Sequence, residues 1–359
     1  MSTAAIAQTP LESAVALARE HRWAEARKAL EGAVEPSETA PRIAFHRLKA
    51  AIASGLGDAK AAAAEMEEAV KISPKDPVLL LAAAVAEFQA GLLNEALRHA
   101  HNVPKSAQAM ALIGDIQEKR GQYIEAANAY QAAVALEPDR EQYRIALALE
   151  LVEHQSFTAA IAVLKQAAGL FPKSGKIRTL LGVAQYGDGD SAAAMESLAD
   201  AIAADATLEP AYVYLTRIVL DSSAPPPEPI VKALCRWNST VCNAIRLRIA
   251  RAQDDSKLLA DAIAGLEHGG QDDPIARCEL GRGYQWTGQN EKARTEMEAC
   301  VKLEPTPQNH YRLGLIYRQL GLTEQAESEI AVRNKAMEAI SEDAARRADA
   351  VQSFQVVIK

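Results

Sequence analysis

The chain has 359 residues and a formal net charge of −8, with 49% hydrophobic but only 5% aromatic residues. Such a balance argues against a general nucleic-acid binder, because non-specific affinity for phosphate backbones needs basic excess. The apolar run Val78 to Ala86 is nine residues long, far short of the ~20 that a membrane-spanning helix needs, so no transmembrane segment is expected.

Residues 1–6 read either as a disordered start or as the remnant of an export signal, since Ala5-Ile6-Ala7 before Gln8 has the form of a signal end without its charged and apolar regions. From residue 7 a helical hairpin recurs. Residues 7–42 are a worn first unit with Trp23 and Ala26; residues 43–76 carry Ala50, Gly57, Ala62, Met66, Ala69 and Pro74. Residues 77–106 keep Leu80, Ala84, Gly91 and Ala96, but Pro104 shortens the unit. The clearest unit begins at Ala107, with Met110, Ile113, Gly114, Gln117, Gly121, Ala126, Tyr130, Ala133 and Pro138. Units 141–174 and 175–208 hold the same 34-residue register, with small residues at the same offsets, among them Ala148, Ala160 and Ala167, then Gly182, Ala194 and Ala201. The spacing predicts two backbones meeting through small side chains, a glycine ending the first helix and a proline stopping the second.

Regularity breaks over 209–273. Residues 209–222 predict a first helix, Ala224-Pro225-Pro226-Pro227-Glu228-Pro229 intervenes, and 240–273 is a disguised unit with Leu247 and Leu259 in the small-residue places. Its helices are expected to stand further apart. The proline run reads as a stiff connector or as a ligand for aromatic-grooved domains. Two clear units follow at 274–306 and 307–335, and Met337, Ile340, Ala344, Ala348 and Val351 predict a capping helix and tail over 336–359.

This pattern resembles the tetratricopeptide repeat, a unit of 34 residues, over residues 7 to about 335. The resemblance implies an all-α, right-handed superhelical solenoid of about ten helix-turn-helix repeats: an N-terminal array of about six over 7–208, an irregular stretch, two C-terminal repeats and a capping helix. It implies a non-catalytic scaffold or adaptor holding a peptide or protein segment in a concave groove, with no cofactor, no metal and no nucleic acid. A ligand-sensing module with a compact pocket near the proline break is the alternative, and the repeat region of an enzyme complex a third reading. Oligomeric state and compartment stay open.

Chemistry-bearing motifs are sparse. His99 and His101 read as a satisfied surface pair, Asp188-Gly189-Asp190 as an inter-helix turn, Gly281-Arg282-Gly283 as part of a helix, and Asn238-Ser239-Thr240 as a helix N-cap. No Ser/His/Asp or Cys/His arrangement stands out. The four cysteines lie in the C-terminal third, where export would give disulfides Cys235 to Cys242 and Cys278 to Cys300, and a reduced compartment would give four free thiols.

In the repeat family, places 2, 5, 9, 12 and 13 of the first helix commonly point into the groove. Places 5, 9 and 12 hold Leu81, Val85 and Phe88, then Ile145, Leu149 and Val152, then Thr179, Val183 and Tyr186. That reads as an apolar trough or as packing between adjacent first helices. Further along, Arg217, Arg248 and Arg282 occupy place 9 and Arg251 and Arg318 place 12, with Arg312, Trp286 and Tyr311 beside them. This ladder suggests a partner with an acidic or phosphorylated segment; a solvated face neutralised by Glu279 is the other reading.

Overall fold

The computed structural model describes residues 9–222, 225–270 and 272–357, with side chains described as far as Glu342. Among them are twenty helices and no strand, an all-α solenoid of helix pairs. The chain falls into two compact units, residues 1–150 and 151–359. The first pairs α1 (Pro10–Arg19) with α2 (Trp23–Leu30), α3 (Thr39–Gly55) with α4 (Ala59–Ile72), α5 (Pro77–Gln89) with α6 (Leu93–His101), and α7 (Ala107–Lys119) with α8 (Tyr123–Leu136). The boundary falls within α9 (Glu141–Glu153). The second unit continues with α10 (Phe157–Leu170) and then pairs α11 (Gly175–Gly187) with α12 (Ser191–Ala204), α13 (Glu209–Asp221) with α14 (Glu228–Trp237), and α15 (Ser239–Gln253) with α16 (Ser256–Glu267). Its last pairs are α17 (Pro274–Trp286) with α18 (Asn290–Leu303) and α19 (Pro307–Gln319) with α20 (Thr323–Val357).

Local chemistry starts and stops these helices. Asp76, Ser106, Ser174, Asp255, Asp273 and Thr306 each accept a backbone N–H at the head of a helix through their side chains, satisfying donors that the helix itself leaves open. The turn inside each unit has one demanding position. The fifteenth place takes positive φ in every unit where it is described: Gly57, Gly91, Gly121, Gly189, Gly288 and Gly321 at 72° to 92°, and His21, Gln155 and Asp254 at 55° to 57°. Only glycine enters this region without steric cost, so the register read from the glycines is written into the backbone, including in the worn first unit and the disguised one.

Small residues hold the pairs together. Ala26, Ala62, Ala96, Ala126, Ala160, Ala194, Ala293 and Ala326, all at the twentieth place, are at most 2% exposed. A Cβ added at Gly114 would lie 2.5 Å from the Tyr130 ring, and one at Gly182 would lie 2.6 Å from Leu198. Larger side chains such as Ile116, Leu164, Leu198 and Leu215 are fully buried, each worth about 1.5–3 kcal/mol relative to exposure.

Two departures from the repeat are informative. In the disguised unit Leu247 is fully buried while Leu259 is only half-buried, and the close approach moves to Gly265, where an added Cβ would lie 2.4 Å from the Asn243 amide. At the other end, the separate capping helix expected beyond residue 335 is the unbroken continuation of α20. Met337 and Ile340 on it are exposed. The side chains of Ala344, Ala348 and Val351, the start at residues 1–6 and Ala224 of the proline run lie outside the described residues.

Candidate functional site

In the first unit, the first helices of successive pairs border two adjoining hollows. One, of about 590 Å³, is lined by Pro77, Val78, Leu81, Ala82, Val85, Val103, Pro104, Ser106 and Gln108. The other, of about 680 Å³, runs from Val85, Phe88 and Gln89 across Gln108, Ala111, Leu112 and Asp115 to Gln142 and Tyr143. Val85, Ser106 and Gln108 belong to both. Leu81, Val85 and Phe88 are half-buried, packing against the core while also lining the hollows.

Ile145 is half-buried and Leu149 is 40% exposed, and neither lines these hollows. Sequence reasoning passed over place 2, which supplies the strongly exposed Val78 together with Gln108 and Gln142. The signal was available in the family's own groove positions. Within the second hollow, the Tyr130 hydroxyl donates to Asp115 Oδ1 at 2.7 Å, and burial pushes the Asp115 carboxyl above its ordinary pKa. Lys119 Nζ sits 4.6 Å from the Phe88 ring centroid.

In the second unit the expected ladder is selective. Arg248, Arg282 and Arg312, from three first helices, gather around Glu279. Arg248 grips the carboxylate with a fork, Nη2 to Oε1 at 2.6 Å and Nε to Oε2 at 3.1 Å, and its Nη1 donates to Leu220 O. Arg282 Nη1 adds a third bond to Oε1 at 3.0 Å. Arg312 makes no ion pair among the described residues and donates from Nη1 to Asn309 Oδ1 at 3.2 Å. Glu279 is 3% exposed, so it belongs to a buried network rather than to a solvated face.

The electrostatics follow from this crowding. Burial alone would raise the Glu279 pKa, but Arg248 and Arg282 hold it below the ordinary value. Burial pushes Arg312 down to about 10, and Arg282 and Arg248 push in the same direction. Arg217, Arg251 and Arg318 are exposed and stand outside the cluster. Arg251 faces the Trp286 ring at 6.0 Å, Arg333 faces Tyr311 at 5.6 Å, and Tyr186 donates to Asp221 Oδ2 at 3.0 Å. Val152 is half-buried, and Thr179 is buried with its hydroxyl bonded to Gly175 O, which removes Thr179 from any groove.

The cysteines form two disulfides, Cys235 to Cys242 joining α14 to α15 and Cys278 to Cys300 joining α17 to α18. The surface pairing of His99 with His101 needs correction: His101 is exposed, but His99 is buried, with Nδ1 2.8 Å from Glu87 Oε2 and Nε2 3.5 Å from Glu67 Oε2. The ring bridges α4, α5 and α6. With Glu87 on Nδ1, only Nε2 and Glu67 could share an ion, two protein donors where structural sites use four. Asn238 caps α15 by accepting from Val241 N at 3.1 Å, and Gly281-Arg282-Gly283 lies inside α17.

Two family profiles described as "Tetratricopeptide repeat" match the chain, one at residues 145–209 and one at 48–76, 107–140 and 307–330. No curated protein matches it by sequence. Similar solved structures include YrrB, described as a TPR protein with an unusual peptide-binding site, at 18% identity, covering 52% of this chain and 96% of that one, TM-score 0.41. The C-terminal part of a TPR repeat-containing protein from Cytophaga hutchinsonii is 15% identical, covering 82% and 95%, TM-score 0.46. A tetratricopeptide repeat protein from Parabacteroides merdae is 12% identical, covering 79% and 98%, TM-score 0.42. With helix pairs in the repeat's register, a left-handed residue at each described fifteenth place and family matches in both units, the chain is a tetratricopeptide-repeat protein.

Proposed function

We propose that the protein is a non-catalytic scaffold whose first unit holds a peptide segment of a partner in the trough along α5 and α7, and whose second unit receives an acidic group at the Arg248, Arg282 and Arg312 cluster. The observation that carries this reading is the pair of adjoining hollows whose walls include Val78, Leu81, Val85 and Phe88. Apolar side chains left facing open space in a groove with polar groups at its edges suit an extended or helical peptide.

A sensor of small ligands is less well supported. The hollow beside Pro225 and Pro226 measures about 30 Å³, near the volume share of one water molecule and well below the roughly 300–1,000 Å³ of small-molecule sites. The two disulfides favour maturation in an oxidising compartment.

The test is selection of peptides from a displayed random library on the full chain, followed by calorimetric titration of the selected peptides. Wild-type protein is expected to enrich peptides with spaced apolar residues, Leu81→Asp to weaken them at least roughly tenfold with melting temperature unchanged, and Leu149→Asp, outside both hollows, to leave them bound as tightly as before. Equal affinity of folded Leu81→Asp for those peptides would overturn the trough. Loss with Leu149→Asp as well would overturn confinement to the two hollows and extend the site to α9.

A further inference from the structure

The arginine cluster contains more charge than it neutralises. Arg248, Arg282 and Arg312 bring three positive charges to one buried carboxylate, Glu279. Arg217 and Asp221 both lie beside the Tyr186 hydroxyl, and Asp221 also acts on Arg282 and Arg312, so that four guanidiniums stand against two carboxylates and the excess is two. The excess sits in poorly solvated surroundings: the Arg282 and Arg248 side chains are 14% and 20% exposed. Each guanidinium can donate five N–H bonds. Arg248 has committed all three nitrogens, whereas Arg282 and Arg312 commit one nitrogen each, to Glu279 and Asn309.

Resting on the proposed acidic partner, we infer that this site takes the dianionic phosphomonoester of a phosphorylated side chain on the bound protein segment. Charge decides among the oxyanions. A phosphomonoester carries about −1.5 to −2 near pH 7 and three acceptor oxygens, which matches both the excess of two and the pair of guanidiniums with donors to spare. A single carboxylate leaves one charge over. A nucleic-acid phosphodiester carries one charge per group, and a chain with net charge −8 repels the rest of a polyanion. The depressed pKa of Arg312 is the protein-side signature of the same excess: burial and two like charges oppose its protonated form, and a bound dianion relieves that opposition.

The experiment is calorimetric titration of the full, oxidised chain at pH 7.5 and matched ionic strength with N-acetyl-phosphoserine methylamide, N-acetyl-glutamate methylamide, dimethyl phosphate and inorganic phosphate. The phosphoserine compound is expected to bind at least roughly tenfold more tightly than the two monoanions. Arg312→Gln should erase that difference, and Arg312→Lys, which keeps the charge but not the fork, should restore only part of it. Equal affinity for the glutamate and phosphoserine compounds would overturn the dianion assignment while leaving an acidic partner standing. Binding by none of the four would remove both. Inorganic phosphate binding as tightly as phosphoserine would overturn the assignment to a protein segment. Should Arg312→Gln lower the melting temperature, Arg282→Lys supplies the second variant, expected to lose part of the phosphoserine preference, as Arg312→Lys does, while its Glu279 ion pair persists; an unchanged preference would overturn the assignment. The trough of the first unit is read separately through Leu81→Asp.

Discussion

Arg248 on α15 and Glu279 on α17 stand 31 residues apart in sequence and share a two-pronged ion pair, with Nη2 to Oε1 at 2.6 Å and Nε to Oε2 at 3.1 Å. The pair ties together the first helices of neighbouring repeats, and its carboxylate is 3% exposed. Removing one member of a buried pair leaves the other uncompensated, so Glu279→Gln is expected to destabilise the second unit by about 3–5 kcal/mol in urea unfolding.

The same carboxylate gives a pH dependence of definite sign. The folded-state pKa of Glu279 lies below its ordinary value of 4.5, so its contribution is in place above pH 4.5 and is lost as pH falls through the folded value. Unfolding midpoints of wild type and Glu279→Gln measured from pH 7 to pH 3 should converge in acid. Parallel curves would contradict the assignment.

Asp115 behaves in the opposite sense. Burial raises its pKa above 3.8 in the fold, so the cost to stability grows as pH rises from 3.8 to the folded value, is complete above it and disappears below 3.8. Asp115→Asn keeps an acceptor for the Tyr130 hydroxyl without the charge. The variant is expected to be more stable than wild type at pH 7 and level with it near pH 3, read as melting temperature against pH.

Gln155 occupies the fifteenth place at φ 55° where most units carry glycine. A left-handed conformation costs a non-glycine residue about 1–2 kcal/mol, while glycine loses roughly 0.5–1 kcal/mol in chain entropy on folding. Gln155→Gly is therefore expected to stabilise by up to about 1 kcal/mol, and Gly121→Ala, at φ 72°, to destabilise by about 1–2 kcal/mol. Chemical denaturation of the two variants checks both signs.

The disulfides close loops with sequence separations of 7 and 22 residues, which chain-entropy arguments make worth about 2–3 kcal/mol each. Reduction is expected to lower the unfolding midpoint of the second unit and leave the first, which has no cysteine, unchanged. Hydrogen exchange with and without reductant resolves the two units. Non-reducing mass mapping of protein isolated from its native compartment should find Cys235 joined to Cys242 and Cys278 to Cys300; four free thiols would remove the oxidising-compartment proposal.

What the sequence by itself determined is local and periodic. The alternation of helices, the small residues at the twentieth place and the left-handed turn at the fifteenth follow from backbone sterics and close packing, which act within one hairpin. Glycine and alanine spacing records them directly, down to His21, Gln155 and Asp254 standing where glycine is absent. The spacing of Cys278 and Cys300 placed them on the two helices of one hairpin, which left a disulfide or two free thiols open, whereas Cys235 and Cys242 join helices of successive pairs. Only the tertiary structure decided which side chains meet between hairpins. Helical period assigns Arg217, Arg248, Arg251, Arg282, Arg312 and Arg318 to first helices, but the packing of those helices gathers three around Glu279 and leaves three exposed. The burial of His99 between Glu67 and Glu87, and the exposure of Val78 at the mouth of a hollow, are decided likewise. A side chain's face is fixed by its own helix, whereas its solvation and partners are fixed by the neighbours stacked against it.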